Sequence, residues 1–299
     1  MNFVNYRIVH RTSYAYGNSI LEGTHLLRLQ PRDTLSQKCL SFSLNVLPES
    51  TPSFAFTDYY GNQCNHLIID QSHQKFIATS ESMVSVSMPF WPEPEETPAW
   101  ETVKFQMATD RGNQALEAME FIYDSPLIEI NKEVLLFAQK SFTPGRPILA
   151  AGKDLTERIF NEFVFDPVAT DVATPVGSVL ERQRGVCQDF AQLAIACFRS
   201  MGLPARYISG YLETQPPPGA PKLVGADASH AWMAFYCPGI GWIELDPTNG
   251  CIPTLHHIRI GWGRDYSDIA PIVGMIQGSG SHALDVSVDV TAEPPFGTL

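Results

Sequence analysis

The sequence predicts an α+β protein in which an N-terminal antiparallel β-sandwich precedes a core of helices and a second antiparallel sheet. Apolar and polar residues alternate over residues 40–46 and 84–88, which is typical of half-buried strands. Beyond about residue 100, apolar residues recur at three- and four-residue steps, which is typical of helices. We therefore predict a β-sandwich domain over residues 1–90, and linker helices with the core over residues 91–299.

A proline-rich segment separates the two predicted parts. Residues 89–98 (PFWPEPEETP) contain four prolines and no strand pattern, so they are interpreted as a linker. Ser125 before Pro126 has the composition of a helix cap and first turn, and an apolar stripe follows over residues 127–138. Near the end, the alternation over residues 284–290 predicts a final strand, which we expect to join the core sheet.

The composition excludes several classes of partner. The 299 residues carry a net charge of −12 and are 44% hydrophobic, which is enough apolar content for a sizeable core. An acidic chain lacks the basic patch that nucleic acid or an anionic membrane surface requires. The first residues do not resemble a signal peptide, and no apolar run is long enough to cross a bilayer. We therefore expect a cytoplasmic protein with no nucleic-acid or membrane partner.

The six cysteines form no Cys-x-x-Cys pair, so neither a disulfide framework nor a zinc site is predicted. Cys251 with His256 and His257 is a conceivable metal cluster, but it lacks a fourth ligand at a suitable spacing. We therefore predict no metal and no cofactor.

Cys187 opens a predicted helix. Apolar residues at 190, 193, 194, 197 and 198 share one helical face, and Gly202 ends the run. Free N–H groups and the positive end of the helix dipole favour a thiolate in the first turn, and the thiolate is the nucleophilic form. Taken alone, this signal is weak, because a free cysteine is commonly a small buried residue that has no chemical role.

Two predicted strands bring further reactive side chains to the core. Residues 229–236 and 241–248 read as strands, with a turn over residues 238–240. If they pair antiparallel, every register whose paired numbers sum to an even total places His230 and Asp246 on one face. Asp246 can then orient the imidazole, and His230 can deprotonate Cys187 and later protonate a leaving group. An odd total separates them, and the sequence does not choose between the two.

Three segments resemble the core motifs of a known family. Residues 185–191 (GVCQDFA), 229–232 (SHAW) and 246–249 (DPTN) are similar to the motifs of the transglutaminase-like superfamily. More narrowly, they resemble its bacterial branch of candidate cysteine proteases, which residues 204–211 and 263–266 also resemble. The preceding chain is similar to the N-terminal β-domain of that branch. The resemblance implies a papain-like or transglutaminase-like core with Cys187 as nucleophile, His230 as general base and acid, and Asp246 as the residue that orients His230.

Other positions are weaker candidates. An oxyanion needs hydrogen-bond donors, and the backbone N–H of Cys187 is the natural first one, with Gln183 or Gln188 as candidates for the second. Trp232 is either a core aromatic or a cover over the thiol. Residues 264–266 resemble a family motif, and Arg264, Asp265 and Tyr266 form either a wall of the cleft or a structural turn. The proline-rich residues 213–221 predict an exposed loop, which we expect to border the cleft.

These residues together suit thiol-dependent acyl transfer. The leading interpretation is a cysteine protease or amidase that cleaves peptide or isopeptide amide bonds, with a protein or peptide as substrate. An alternative within the same chemistry is a protein-glutamine crosslinking transglutaminase, since the sequence does not show whether water or an amine resolves the thioester. A catalytically silent binding or scaffold protein is an alternative of another class, which the intact Cys187, His230 and Asp246 argue against. The oligomeric state does not follow from the sequence.

Overall fold

The structure, a computed structural model, describes residues 3–50, 53–214 and 228–293. Six strands come first: β1 (Phe3–Ile20), β2 (Glu22–Leu27), β3 (Gln37–Leu47), β4 (Ser53–Thr57), β5 (Gln63–Ile69) and β6 (His73–Ser87). The middle of the chain contains α1 (Trp100–Thr109), α2 (Asn113–Met119), α3 (Lys132–Gln139), α4 (Ile148–Glu162), β7 (Val164–Phe165), α5 (Val176–Arg182), β8 (Arg184–Gly185) and α6 (Cys187–Ser200). The remainder forms β9 (Ala205–Leu212), β10 (Ala228–Cys237), β11 (Gly241–Leu245), β12 (His257–Gly263), α7 (Tyr266–Ile269), β13 (Ile272–Gln277) and β14 (His282–Glu293).

The α+β prediction is confirmed, with antiparallel sheets in the N-terminal region and in the core. Two four-stranded N-terminal sheets have the orders β14-β1-β6-β3 and β13-β2-β5-β4. The predicted alternation falls mostly within β3 and β6, whose side chains point in turn to the interior and to solvent. It fails at Leu40, which is exposed beside a register shift of β3, and at Met88, which is exposed beyond the end of β6. Among the described residues, no helix is both long and apolar enough to cross a bilayer.

The expectation that the last strand joins the core sheet is wrong. β14 pairs instead with β1, from Asn5 opposite Glu293 to Tyr16 opposite His282. The physical reason is that β1 offers a long free edge beside β6, and the inward-facing Val288 and Val290 of β14 complete a buried apolar cluster there. The alternating pattern identifies a strand, but the edge that it joins depends on contacts far away in the sequence.

The third helix begins later than predicted. Ser125 does not cap it, because Ser125 and Ile128 form an isolated β-bridge instead. The side chain of Asn131 accepts the backbone N–H of Val134 at 2.9 Å and so caps α3, which starts at Lys132.

The core contains a four-stranded antiparallel sheet in the order β11-β10-β9-β12. The predicted helix is α6, and its residues from Asp189 to Arg199 are all buried, because it packs against β9 and β10 on one side and α3, α4 and α5 on the other. In the β10–β11 hairpin, Met233 lies opposite Leu245, so the paired numbers sum to an even total. This is the register that places residues 230 and 246 on one face of the sheet.

The N-terminal strands pack against β9 and β12 of the core sheet. Apolar side chains of β1, β6 and β14 form one buried cluster with Tyr211 of β9 and with Ile258 and Ile260 of β12. A polar contact crosses the same boundary, since the Gln37 side chain accepts the Arg259 N–H at 2.8 Å and donates to its carbonyl at 2.7 Å. The N-terminal strands are therefore anchored on β12, an edge strand of the core sheet.

The packing around Gly210 leaves no space for a side chain, which gives a testable prediction. It lies directly opposite His230 in the β9–β10 pair, and a Cβ there would overlap the Ile258 carbonyl oxygen and the Trp232 ring. We expect Gly210→Ala to lower the free energy of unfolding by about 1–3 kcal/mol, the usual cost of overpacking. Urea unfolding measures this. Gly177→Ala in α5 is the control, since a Cβ there meets only an amide nitrogen of Asn131 at 3.4 Å, and an equal midpoint for both variants would contradict the prediction.

Candidate active site

Cys187 is the first residue of α6, and the turn before it is anchored by Asp189. One carboxylate oxygen of Asp189 accepts the backbone N–H of Val186 at 2.8 Å and the Thr170 hydroxyl at 2.6 Å. Asp189 is buried, and this burial raises the pKa of its carboxyl group. Its role is therefore to cap the helix start, as expected of an acidic residue in a first turn. The thiol of Cys187 is half-buried at the positive end of the helix.

His230 lies between Cys187 and Asp246. The Nε2 atom of His230 is 2.8 Å from Oδ2 of Asp246, and the His230 imidazole also forms a side-chain hydrogen bond with Cys187. Because Nε2 is engaged by Asp246, Nδ1 is the ring nitrogen left to face the thiol. The structure therefore brings the three predicted residues together in the order that nucleophilic catalysis requires.

The electrostatics favour a charged imidazole. Burial lowers the pKa of His230, but the hydrogen bonds to Asp246 and Cys187 outweigh it and raise the pKa to about 10. Burial likewise raises the pKa of Asp246, but hydrogen bonds from His230 and His257 hold it well below its usual range. Since a raised histidine pKa stabilises the folded state below its unfolded pKa, this stabilisation is present at acidic pH and is lost as the pH rises through about 10.

The Asp246 carboxylate accepts hydrogen bonds from several sides. One oxygen, Oδ1, accepts the backbone N–H groups of Thr248 at 3.0 Å and Asn249 at 3.2 Å. The other, Oδ2, accepts the Asn249 side-chain amide at 2.7 Å and also faces Nε2 of His257 at 3.0 Å. Asn249 and His257 were not predicted as site residues. The match at residues 246–249 could have indicated Asn249, whereas no local signal links His257 to Asp246.

The conceivable Cys251, His256 and His257 cluster divides between different partners. Nδ1 of His256 contacts Glu213 at 2.8 Å, whereas His257 contacts Asp246. The ligand atoms of His230, Asp246 and His257 do lie within 4.8 Å of one another. However, Nδ1 of His257 accepts the backbone N–H of Thr254 at 3.2 Å, so Nε2 carries the ring proton. A metal on that nitrogen would have to displace the proton, and the three groups fit a hydrogen-bonded network better than a metal site.

The weaker candidates lie in different places. Nε2 of Gln188 donates to the carbonyl of Val172 at 3.1 Å, so its amide is engaged away from an oxyanion position. Gln183 ends α5 in a left-handed conformation with φ of 50°, and it is exposed. Trp232 packs against His230, with ring centroids 5.8 Å apart and 28° between the planes, and its indole N–H donates to Glu244 at 2.9 Å.

Residues 264–266 mostly build a turn. Arg264 forms two charged hydrogen bonds with Asp268, at 2.8 and 2.9 Å. Asp265 caps α7 by accepting the N–H of Ser267 at 2.8 Å. Tyr266 packs edge-to-face on Tyr207, whose pKa is raised well above its usual value by burial and by the nearby Cys187. Tyr266 therefore reaches the surroundings of the thiol through Tyr207. Most of the predicted cleft loop, residues 215–221, lies outside the described residues.

Two family models match the chain. The model of the transglutaminase-like superfamily matches residues 137–247, and that of the bacterial transglutaminase-like N-terminal region matches residues 6–85. An uncharacterised protein of Mycobacterium tuberculosis is 38% identical over 290 residues, which cover 95% of this chain and 92% of the relative. A protein of Mycobacterium leprae is 30% identical over 95% of this chain and 98% of its own length. The chain belongs to the transglutaminase-like superfamily, in agreement with the motifs.

Solved structures and more distant relatives support the fold. A crystal structure from Cytophaga hutchinsonii, named as a candidate cysteine protease, has a TM-score of 0.78 and 22% identity, and the match covers 100% of this chain and 93% of that chain. A protein-glutamine gamma-glutamyltransferase of Pseudomonas aeruginosa is 29% identical over 92 residues, which cover 30% of this chain and 14% of that protein.

Proposed function

We propose that this protein is a thiol-dependent acyl-transfer enzyme, and that it acts as a cysteine hydrolase on peptide or isopeptide amide bonds. The observation that carries the proposal is the continuous contact from Cys187 through His230 to Asp246. An imidazolium held between a thiol and a buried carboxylate stabilises a thiolate, which is the nucleophilic form. Membership of a superfamily whose relatives include a candidate cysteine protease supports the same chemistry.

The residues divide the reaction into two steps. The Cys187 thiolate attacks the amide carbonyl and forms a carbon–sulfur bond, and the tetrahedral oxyanion accepts the backbone N–H of Cys187. The carbon–nitrogen bond then breaks as the His230 imidazolium gives its proton to the leaving amine. Neutral His230 next takes a proton from water, whose oxygen attacks the thioester. The carbon–sulfur bond breaks, a carboxylic acid leaves, and the thiolate–imidazolium pair is restored. Asp246 stays ionised throughout and holds the imidazole in place.

The proposal predicts a fast reaction of Cys187 with an alkylating reagent at about pH 6. The pKa of His230 is raised to about 10, so a charged imidazole faces the thiol at that pH. We expect iodoacetamide to label Cys187 on the order of 100-fold faster than an ordinary thiol, which is almost fully protonated at about pH 6. Peptide mass mapping after timed labelling measures the rate at each cysteine.

The chain contains its own control. Cys39 is half-buried like Cys187, but burial and the nearby Asp33 raise the pKa of its thiol, so its rate should rise about tenfold per pH unit. His230→Ala should reduce Cys187 to similar behaviour. Equal rates at Cys187 and Cys39 in the wild type would favour a silent binding protein. Once reactivity is established, incubation of peptide amides with and without a biotinylated amine separates hydrolysis from crosslinking, since only a transferase incorporates the amine.

A further inference from the structure

A second imidazole contacts the carboxylate that orients His230. Nε2 of His257 lies 3.0 Å from Oδ2 of Asp246, the same oxygen that His230 approaches at 2.8 Å. His257 is 3% exposed and Asp246 is fully buried, so water does not compete for this contact. The two imidazole rings, with centroids 6.1 Å apart, therefore share one carboxylate oxygen.

The direction of the His257 hydrogen bond is fixed by the backbone. Its other ring nitrogen, Nδ1, faces the N–H of Thr254 at 3.2 Å, and a backbone N–H can only donate. Nδ1 therefore carries no proton, and the ring proton is on Nε2, where it points to Asp246. His257 is thus a neutral donor to Asp246, in contrast to the positively charged His230.

Both the side chain and the backbone of His257 contact neighbouring residues. The Trp232 ring packs edge-on against the His257 ring at 5.3 Å and, with another part of its surface, lies against His230. A guanidinium nitrogen of Arg259 donates to the His257 carbonyl at 3.3 Å. Within the described part of the chain, Asp246 and His230 are the ionisable side chains recorded against the ring, and Arg259 donates to the backbone carbonyl of His257.

A neutral hydrogen-bond donor to Asp246 is useful at one stage of the proposed reaction. When His230 gives its proton to a leaving group, Asp246 loses its cationic partner while it stays buried. Neutral His230 still donates its Nε2–H to Asp246, but a buried carboxylate that has lost its cationic partner is more easily protonated. The Nε2–H of His257 and the Asn249 amide continue to donate to Asp246 at that moment. The carboxylate then keeps both its charge and its orientation until His230 is protonated again.

We propose that His257 is a positioning residue, which holds the Asp246 carboxylate toward His230 and keeps it ionised while His230 is neutral. This inference rests on the proposed function. Without this hydrogen bond the carboxylate is free to turn away from His230, and we expect the thiolate population of Cys187 to fall about tenfold.

Two amide variants that differ by one methylene test the inference. The amide nitrogen of glutamine reaches the position of Nε2, whereas that of asparagine does not. In the His257→Gln variant, we expect iodoacetamide to label Cys187 at about pH 6 at a rate within about twofold of the wild-type rate. In the His257→Asn variant, we expect labelling to be about tenfold slower than in the wild type. The matched controls are His256→Gln and His256→Asn, since the neighbouring His256 contacts Glu213 instead and should tolerate both.

The outcomes separate this inference from the proposed function. A wild-type Cys187 no more reactive than Cys39 overturns the proposed function itself. A reactive wild type with an equally reactive, folded His257→Asn variant overturns only the positioning role. Nitrogen-15 NMR of the wild-type histidines gives a test that does not depend on the folding of any variant. It should show the His257 ring proton on Nε2, and an Nδ1–H tautomer would contradict the inference.

Discussion

Asp246→Asn is expected to lower amide hydrolysis by about 10³–10⁴-fold, the range associated with the loss of the orienting carboxylate in catalytic triads. Asparagine keeps the shape of the side chain but removes the charge that faces His230 at 2.8 Å. His230 remains buried, so its pKa should fall once the compensating anion is gone, since burial alone lowers it. The thiolate then loses its imidazolium partner.

The surroundings of Asp246 make this substitution especially harmful. Three side-chain nitrogens, from His230, His257 and Asn249, approach the single oxygen Oδ2. If the asparagine NH₂ group takes the position of Oδ2, it faces these three nitrogen donors and offers them no acceptor. If it turns its oxygen to them, its NH₂ group meets the backbone N–H groups of Thr248 and Asn249. Neither orientation satisfies every hydrogen bond, so we expect the imidazole to lose its fixed position as well as its charge.

Hydrolysis of a peptide amide and iodoacetamide labelling at about pH 6 should both report the loss, with labelling down about 100-fold as the thiolate is protonated. The control is Asp268→Asn, which alters a half-buried carboxylate paired with Arg264 and should leave both rates within about twofold. Hydrolysis by a folded Asp246→Asn variant at the wild-type rate would exclude Asp246 from the proposed mechanism.

The local features of this site could be predicted from the sequence. A glycine, a cysteine and an apolar three-four repeat define the start of α6, and the helix begins at Cys187. The two strands and their turn are equally local, because they depend on side-chain alternation and on residues 238–240. The register of the two strands could not be predicted, because the turn is compatible with paired residue numbers that sum to an even or an odd total. The contacts that each face makes in the folded core decide between the two registers.

Features that depend on distant contacts were missed or misplaced. His257 belongs to a strand that pairs with β9 and not with β10 or β11, so nothing near it in the sequence points to Asp246. The strand at residues 284–290 has a clear pattern, but β1 is its partner nearly the whole chain away. Gln188 looked like an oxyanion donor by position, yet its amide donates to Val172. In each case the sequence indicated the residue or strand, but not the distant residue or strand that it contacts.

Arg259→Met is expected to lower the free energy of unfolding by about 3 kcal/mol, because it leaves a buried carboxylate without its main partner. Arg259 is 2% exposed, and its Nε donates to Glu244 at 2.7 Å. The other oxygen of Glu244 accepts the Trp232 indole N–H, so the pair supports the ring that packs on His230. Arg206 also acts on this carboxylate, which places the expected loss at the lower end of the range for broken buried pairs.

A double variant distinguishes an unpaired charge from lost packing. Arg259→Met combined with Glu244→Gln removes the stranded charge but keeps an acceptor for Trp232, so it should recover more than half of the stability that Arg259→Met alone loses. Urea unfolding measures each variant. The control is Arg7→Met, which breaks an exposed pair with Glu81 and should cost less than about 1 kcal/mol. If Arg259→Met costs no more than Arg7→Met, the buried pair does not stabilise the core sheet. A double variant as unstable as the single one would instead attribute the loss to the packing of the buried arginine side chain.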